Sequence, residues 1–351
     1  MLHHAILKVA TWVREILCGL YKISEQTKWL KKPNPVLDMN KSLLKARETL
    51  ETRAMVSIGG AMERASWAAC RRTGAWMGLL LFGTFRARRA VAARNVQIAF
   101  PRMSDSQARR VVRRCYQNFA MTYCEFLHLR TASRESVRAY CEIDRPEIFH
   151  AAQSRGRGTV VLIAHLGNWE VMGARLAQDF PLSVVARPTS NIGIEAHIAS
   201  IRAASKMTVL SKHDSARGAL RVLKKNEFLG ILPDQHGGPE GVSLPMFGRP
   251  TSVVTALARL ALMADATVVP CFGVRRTPWL ADGRIVARVS PSFRVEKTGD
   301  RETDVLNGTR RVIWEIENVV RQNPEQWLWM HKRWRDSDLV APSNSEIPLS
   351  P

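Results

Sequence analysis

The sequence lacks the motifs by which many nucleotide-binding and hydrolytic enzymes are identified. No G-x-x-x-x-G-K-[ST] or G-x-G-x-x-G segment occurs, which excludes the common phosphate loop and the dinucleotide-binding fingerprint. The motif H-E-x-x-H is absent, and "GVSLP" at 241–245 does not form a G-x-S-x-G nucleophile elbow. Neither a helical zinc-protease site nor an α/β-hydrolase serine is therefore predicted.

Cysteine pairs with metal-ligand spacing are also missing. None of the six cysteines, at positions 18, 70, 115, 124, 141 and 271, forms a C-x-x-C pair, so no metal site is expected. No secretory signal with a cleavage site is found. We therefore expect reduced thiols and an intracellular chain.

Long apolar runs are short of what a membrane span requires, which is about 18 residues. The longest charge-free candidate, "TGAWMGLLLFGTF" at 73–85, has 13 residues and arginines on both sides. Two interpretations stay open. It is either an interfacial helix whose arginines reach anionic headgroups, or a helix buried in the core.

Acidic residues are too few to balance the basic ones. Lys and Arg number 52 against 31 Asp and Glu, which gives a net charge of +21. Such an excess favours polyanionic partners: nucleic acid, an anionic membrane or an acidic protein. No nucleic-acid-binding motif and no aromatic residues on basic strands are found, so nucleic acid is not expected as the partner.

Helical patterns dominate the first 140 residues. Residues 1–30 predict an amphipathic helix, 41–93 read as helix, and 104–129 form a helix with Ser104 and Asp105 as cap candidates. Short β-branched runs follow from about residue 159. We therefore expect four regions: a helical extension at 1–50, a membrane-associated helical region at 51–140, an α/β domain at 141–336 and a mobile tail at 337–351.

The second half of the chain alternates between strand and helix patterns. Such alternation predicts a largely parallel central sheet flanked by helices, and hence an α/β fold preceded by a helical region. Helices are predicted at 169–179, 193–206, 214–225, 252–263 and 302–322, and strands at 159–165, 182–188, 228–234, 267–274 and 284–290.

Three polar residues follow three of these strands. His165, Arg187 and Asp234 each stand at a strand's carboxyl end, where ligands collect in parallel sheets. His165 also opens an H-x4-E pattern with Glu170. A neutral histidine is a good general base near pH 7, and a carboxylate can orient it. A solvated pair at an ordinary turn is the alternative.

Several blocks in order, "ARNVQIAFP", "AHLGNWE", "ARP", "GILPDQHGGPEGVSLPMFGRP" and "QWLWMHKRWR", resemble the lysophospholipid acyltransferase family. Within that family the chain most resembles the lipid A late (lauroyl and myristoyl) acyltransferases. The resemblance covers roughly 52–335. It implies a glycerolipid-acyltransferase-like fold and a membrane-bound enzyme that moves an acyl chain from a thioester to a hydroxyl group.

The resemblance also implies roles for particular residues. His165 and Glu170 match the family's catalytic H-x4-[DE] dyad, as base and orienter. Arg187, Asp234 and Gln235 match substrate-binding blocks, and Asn168 lies within the dyad motif, where it shapes the turn or contacts substrate. Backbone N–H groups after His165, together with Arg187, are candidates for stabilising the oxyanion.

Partners and location follow from the same resemblance. The donor is expected to be the acidic acyl carrier protein, or else coenzyme A, as a co-substrate and not a bound cofactor. The acceptor is a glycolipid such as a lipid A precursor, at the cytoplasmic face of the inner membrane, with peripheral or N-terminal attachment. Alternatives are a lysophospholipid, an aminolipid or another glycolipid as acceptor. Less favoured alternatives are a non-catalytic lipid-binding protein of the same fold and a basic nucleic-acid-binding protein.

Overall fold

The computed structural model describes residues 35–186, 189, 191–210 and 215–335. The amphipathic helix predicted at 1–30, the tail from residue 337 and Arg187 lie outside these residues. Within them, helices come first and strands alternate with helices afterwards, which confirms the predicted α/β class. The division into regions at 50, 140 and 336 stays a prediction.

Five helices precede the sheet in the described part of the chain. The single helical stretch read at 41–93 is divided into three, because Ser66 caps a new helix and Phe85 interrupts the next. Ser104 is the N-cap, as predicted, and it also forms a capping box with Gln107. The five helices are α1 (Pro35–Glu63), α2 (Trp67–Thr84), α3 (Arg86–Ala99), α4 (Asp105–His128) and α5 (Arg134–Tyr140).

Strands and helices then alternate to residue 322. The strands are β1 (Cys141–Ile143), β2 (Thr159–Leu162), β3 (Leu182–Val185), β4 (Thr208–Leu210), β5 (Phe228–Ile231), β6 (Val242–Met246), β7 (Arg249–Val253), β8 (Thr267–Arg275) and β9 (Ile285–Val289). The helices are α6 (Pro146–Ser154), α7 (Trp169–Leu176), α8 (Ile192–Ala204), α9 (Ser215–Lys224), α10 (Ala256–Ala264) and α11 (Arg301–Gln322).

Seven of these strands form one sheet in the order β1-β9-β8-β2-β5-β3-β4, while β6 and β7 form a separate ribbon. All neighbours in the large sheet are parallel except β8 and β9. The central strands β2, β5 and β8 are buried along their whole length, as expected for strands covered by helices on both faces. The polar residues predicted at strand ends therefore follow a rigid core.

The predicted strands extend further than the observed ones. We expected β2, β3 and β5 to reach residues 165, 188 and 234, but they end at Leu162, Val185 and Ile231. Residues 163–165 and 232–234, the last three of the runs predicted for β2 and β5, lie beyond the paired strands. His165 and Asp234 are consequently carried on the loops beyond the strands.

Helix α2, which contains all of the apolar run at 73–85 except Phe85, packs one face tightly against α4. A Cβ atom on Gly74 would lie 2.4 Å from the Cα of Met121, and one on Gly78 would lie 2.4 Å from the Cα of Gln117. Two glycines four residues apart therefore let the two helix backbones touch. This face of α2 belongs to the core.

The other face of α2 is open to solvent. Trp76 is 71% exposed and Leu80 is 47% exposed. The core interpretation therefore describes one face of the helix, and the interfacial interpretation of the other face stays a prediction. No helix among the described residues is long and apolar enough to cross a membrane.

The close helix contact makes a first prediction. Gly74→Ala should lower the free energy of unfolding by about 1–3 kcal/mol, because the added methyl meets the α4 backbone. Gly83→Ala is the matched control: nothing lies within 4 Å of its added Cβ. The control should be neutral or slightly stabilising, because alanine favours the helix by about 1 kcal/mol. Urea denaturation followed by circular dichroism measures both; equal effects would refute the contact.

Candidate active site

Strand register brings His165 and Asp234 together. β2 and β5 are parallel neighbours with Leu162 opposite Ile231, and the Ile163 N–H continues the ladder to the Ile231 carbonyl at 3.0 Å. His165 and Asp234 each lie three residues beyond the paired strand ends. Equal loop lengths on paired strands therefore place the imidazole and the carboxylate side by side.

Asp234 binds His165 through both of its oxygens. Its Oδ1 lies 2.7 Å from Nδ1 of the imidazole, and its Oδ2 accepts the His165 backbone N–H at 2.8 Å. The indole N–H of Trp327 also donates to Oδ2, at 2.9 Å. The Asp234 side chain is only 2% exposed. The carboxylate is therefore fully occupied in holding the histidine.

The charge of Asp234 fixes the imidazole tautomer. Burial by itself would raise the pKa of this carboxyl group, but the His165 imidazole and the hydrogen bonds from His165 and Trp327 outweigh burial and hold its pKa below 3.8. An ionised carboxylate only accepts hydrogen bonds, so Nδ1 carries the proton. The lone pair of the neutral ring is then on Nε2.

The His165 side chain is partly accessible to solvent. The side chain is 17% exposed, and no described residue forms a hydrogen bond with Nε2. The ring rests against Trp169, with ring centroids 5.1 Å apart. A histidine that is oriented on one nitrogen and open on the other has the arrangement of a general base.

Glu170 differs from the expectation that it orients His165. Its Oε1 lies 2.6 Å from Nη2 of Arg202 on α8, and its Oε2 lies 3.3 Å from Nε of the same residue. Asp234 already occupies the Nδ1 position, and the two-pronged bond to a guanidinium satisfies both Glu170 oxygens. Glu170 therefore joins α7 to α8, and the partner of His165 is Asp234.

Asn168 and Asp234 are not available to substrate in the way expected. Asn168 is fully buried: its Oδ1 accepts the Val171 N–H at 2.9 Å, and its Nδ2 donates to Glu125 at 2.6 Å. The amide therefore shapes the turn and caps α7, and does not bind substrate. Asp234 likewise spends both oxygens on protein donors and positions the base instead.

The other two predicted substrate-binding residues are Gln235 and Arg187. The Gln235 side chain has a buried Nε2 with no hydrogen-bond partner among the described residues. An unsatisfied amide donor next to Asp234 fits a role in binding an oxygen of a ligand. Arg187 lies outside the described residues, so its substrate-binding role stays a prediction.

The backbone N–H groups directly after His165 are not free to stabilise an oxyanion. Leu166 N–H donates to the Ala164 carbonyl at 2.7 Å, Gly167 N–H to Gln326 at 3.0 Å, and Asn168 N–H to Gly273 at 2.7 Å. The expectation that this turn supplies oxyanion donors is therefore corrected. Each of these donors stabilises the turn itself.

A second histidine lies close to the pair and stays neutral. Nε2 of His331 accepts the His236 backbone N–H at 3.1 Å. Burial, Arg333 and the nearby His165 together lower the pKa of His331 to about 3. His331 is therefore uncharged at physiological pH, and His165 is the better candidate for the base.

Sequence reasoning assigned no role to two residues that matter here. Trp327 was read only as part of a family block, although the first residues of "QWLWMHKRWR" lie directly beside the site: Leu328 N–H donates to the His165 carbonyl at 3.0 Å. Arg202 stood inside a helix pattern without any signal. A long-range partner of this kind cannot be found from spacing along the chain.

The depressed pKa of Asp234 predicts a pH-dependent contribution to stability. The folded value lies below 3.8, so the contribution is complete above about pH 5 and is lost as the pH falls through the folded value. The difference in unfolding free energy between wild type and Asp234→Asn should therefore shrink on acidification. Urea titrations at a series of pH values measure it.

Asp265→Asn is the matched control for that measurement. The pKa of Asp265 is also lowered, by its bond to Arg294, but this pair is on the surface. Salt should weaken the Asp265 contribution and leave that of Asp234 largely intact. A difference between wild type and Asp234→Asn that is constant down to about pH 3 would contradict the assigned charge state.

Most of the chain is similar to proteins of one known family. Residues 49–336 match the family described as bacterial lipid A biosynthesis acyltransferase. The lipid A biosynthesis lauroyltransferase of Escherichia coli K12 is 26% identical over 275 residues, which cover 78% of this chain and 87% of the relative.

Two further relatives extend the comparison. The lipid A biosynthesis palmitoleoyltransferase of Escherichia coli K12 is 24% identical over 270 residues, 75% of this chain and 83% of its own. A phosphatidylinositol mannoside acyltransferase of Mycolicibacterium smegmatis is 26% identical over 200 residues, 55% of this chain and 62% of its own. The family match covers most of the chain and confirms the resemblance of its motifs: the protein is an acyltransferase and belongs to the bacterial lipid A biosynthesis acyltransferase family.

Proposed function

We propose that the protein transfers a fatty acyl chain from an acyl thioester to a hydroxyl group of a lipid A precursor, with His165 as general base. The observation that carries this proposal is the orientation of His165. Asp234 holds Nδ1 at 2.7 Å, the side chain is partly exposed, and Nε2 has no hydrogen-bond partner among the described residues. The similarity to lauroyl and palmitoleoyl transferases of lipid A biosynthesis supports the substrate class.

The reaction needs one proton acceptor and no nucleophile from the protein. As the acceptor hydroxyl oxygen attacks the thioester carbonyl carbon, Nε2 of His165 takes the hydroxyl proton. The C–O bond forms and an oxyanion develops on the former carbonyl. When the carbonyl is restored, the C–S bond breaks. The departing thiolate then receives from His165 the proton that came from the acceptor hydroxyl. The acyl chain never becomes attached to the enzyme.

Asp234 stabilises the imidazolium that forms during this step. Its negative charge lies against Nδ1, and its lowered pKa keeps it ionised while His165 gains a proton. Trp327 holds the second oxygen, so the carboxylate keeps its orientation throughout. We assign the base-and-orienter pair to His165 and Asp234.

Oxyanion stabilisation is assigned to side chains beyond the turn. Arg187 follows β3, a direct neighbour of β5, and Gln235 follows Asp234 with an unpaired buried amide nitrogen. We propose that Arg187 and Gln235 bind the thioester oxygen or an acceptor phosphate. A cation and an amide donor suit either group.

A glycolipid acceptor fits the relatives of the chain. Two of these relatives are named for lipid A biosynthesis and one is named for phosphatidylinositol mannoside, so the names cover two glycolipids. We propose a lipid A precursor first and another glycolipid second. Lysophospholipid and aminolipid acceptors are tested as further arms of the same assay.

We propose that the exposed face of α2 rests on the cytoplasmic surface of the inner membrane. Trp76 and Leu80 project from it one helical turn apart, and exposed Arg72 and Arg86 flank them. Apolar side chains bordered by arginines suit the headgroup boundary. Attachment there would deliver a lipid acceptor without a spanning helix.

The acyl donor is proposed to be acyl carrier protein. The first turns of α4 carry three exposed arginines, Arg109, Arg110 and Arg113. Later turns of the same helix contact Gly167, in the turn after His165. Basic surface near the site favours an acidic carrier through electrostatic attraction. Coenzyme A thioesters would depend on this surface much less.

The central prediction concerns His165. Purified enzyme is incubated in detergent with labelled acyl carrier protein thioester and a lipid A precursor, and the acylated product is identified by mass spectrometry. His165→Ala should lower kcat by about 10²–10⁴-fold, because the general base is removed. Asp234→Asn should lower kcat as well, through loss of the oriented, stabilised imidazolium.

His150→Ala provides the matched control, because His150 is an exposed histidine on α6, before the amino end of β2. It should keep wild-type activity. Full activity of His165→Ala would eliminate the proposed base. A folded wild type that transfers no acyl chain to any glycolipid, lysophospholipid or aminolipid would favour a non-catalytic lipid-binding role.

The donor surface makes a separate prediction. Arg110→Glu with Arg113→Glu should raise KM for the acyl carrier protein thioester about tenfold and leave kcat nearly unchanged, because surface charges mainly affect encounter. The KM for a coenzyme A thioester should change much less. Initial rates at varied donor concentration measure both constants.

The control variant carries the same change on another helix. Arg217 and Arg221 are exposed on α9, and converting both to glutamate alters the net charge equally. If this pair raises KM as much as the α4 pair, net charge and not a docking surface is responsible. An unchanged KM in both variants would argue against the carrier protein as donor.

A further inference from the structure

The turn between His165 and α7, residues 166–168, is connected by hydrogen bonds to a buried ion pair. Glu125 of α4 and Arg275 at the end of β8 are both 0% exposed at their side chains. Nη1 and Nη2 of Arg275 reach the two Glu125 oxygens at 2.7 Å each. Tyr140 also donates to Glu125, at 2.5 Å. The pair lies far from solvent and fixes a helix against a strand.

Two hydrogen-bonded routes lead from this pair to the turn. In the first, the Asn168 Nδ2 donates to Oε2 of Glu125 at 2.6 Å. In the second, Nε of Arg275 donates to the Asn118 side chain at 3.1 Å, and Asn118 donates to the Gly167 carbonyl at 3.0 Å. Gly167 and Asn168, two of the three residues in this turn, are therefore connected to one ion pair.

The strand end contributes a further restraint. Gln326 exchanges two hydrogen bonds with the Arg275 backbone, at 2.8 and 3.0 Å. Its own carbonyl accepts the Gly167 N–H. Gly167 has φ +60°, and a Cβ added there would lie 1.8 Å from the Gly273 carbonyl oxygen. The turn thus fits closely over the end of β8.

The charge of the pair suits a fixed support. Burial by itself would lower the pKa of Arg275, but Glu125 and Tyr140 more than offset this and raise it, so the guanidinium stays charged. A buried pair is weak evidence for stability as such, because desolvation opposes the attraction. The presence of the pair is better explained by the turn after His165, which the pair orients.

We propose that Glu125 and Arg275 are positioning residues that act through Asn168 and Asn118 to hold the turn carrying His165 in its reactive geometry. The proposal rests on the proposed role of His165 as base. A base displaced by a fraction of an ångström transfers protons poorly, because catalysis depends strongly on alignment. The pair itself touches no reacting atom.

Asn168→Ser tests the first route without removing the ion pair. Serine keeps an oxygen to cap α7 but cannot donate to Glu125 from the same position. We expect kcat to fall by about 10–100-fold with KM changed less than about twofold, because geometry and not binding is lost. Amide hydrogen exchange of residues 166–171 should become faster, a readout that needs no activity.

Asn226→Ser is the matched control, because it makes the same substitution at another asparagine. Asn226 also uses both amide atoms, accepting from Gly158 and donating to Gln153 at 3.0 Å each, but it lies before β5 at the opposite edge of the sheet. It should lose stability and keep kcat. If Asn168→Ser keeps wild-type kcat, or if both variants lose kcat in proportion to stability, the positioning role is refuted.

Exchanging the amide of Asn168 and the carboxylate of Glu125 provides a rescue experiment. Asn168→Asp places two carboxylates together and should lower kcat further, whereas adding Glu125→Gln restores one amide facing one carboxylate. The double variant should recover at least about tenfold in kcat over Asn168→Asp. No recovery would contradict the route through Glu125. An inactive wild type with the expected exchange pattern would instead count against the acyltransferase chemistry.

Discussion

The parallel pairing of β2 with β5 is the constraint on which the site depends. Because the two strands are in register to Leu162 and Ile231, three-residue extensions bring His165 and Asp234 within a hydrogen bond of each other. The buried carboxylate stays ionised because His165 and Trp327 satisfy it. Fold, charge state and tautomer thus follow from one strand register.

Much of the fold could be predicted from the sequence. The alternation of β-branched runs and helical patterns indicated the parallel sheet, and the cap at Ser104 was read correctly. The strand ends were placed three residues too late, because apolar residues such as Ile163 and Ala164 are buried whether or not they pair. A hydrophobic pattern indicates which residues are buried more directly than it indicates which residues pair in a strand.

The structure pairs His165 with Asp234 and not, as the sequence had suggested, with Glu170. His165 and Asp234 were both expected at one edge, but proximity along the chain favoured Glu170 as the partner of His165. Thr159 pairs with Phe228, and each precedes its polar residue by the same six positions. That equality is present in the sequence, yet it identifies a pair only once β2 and β5 are known to be neighbours. The contact of Arg202 with Glu170 depends on helix packing and has no local signal.

The most direct test of this account is the tautomer of His165, read from the ¹⁵N chemical shifts of its imidazole nitrogens in the neutral state. We predict a protonated Nδ1 and an unprotonated Nε2 in wild type, retained in Glu170→Gln and lost in Asp234→Asn. The reason is that a carboxylate partner at Nδ1 can only accept a hydrogen bond. A proton on Nε2 in wild type, or a tautomer that depends on Glu170 and not on Asp234, would contradict it.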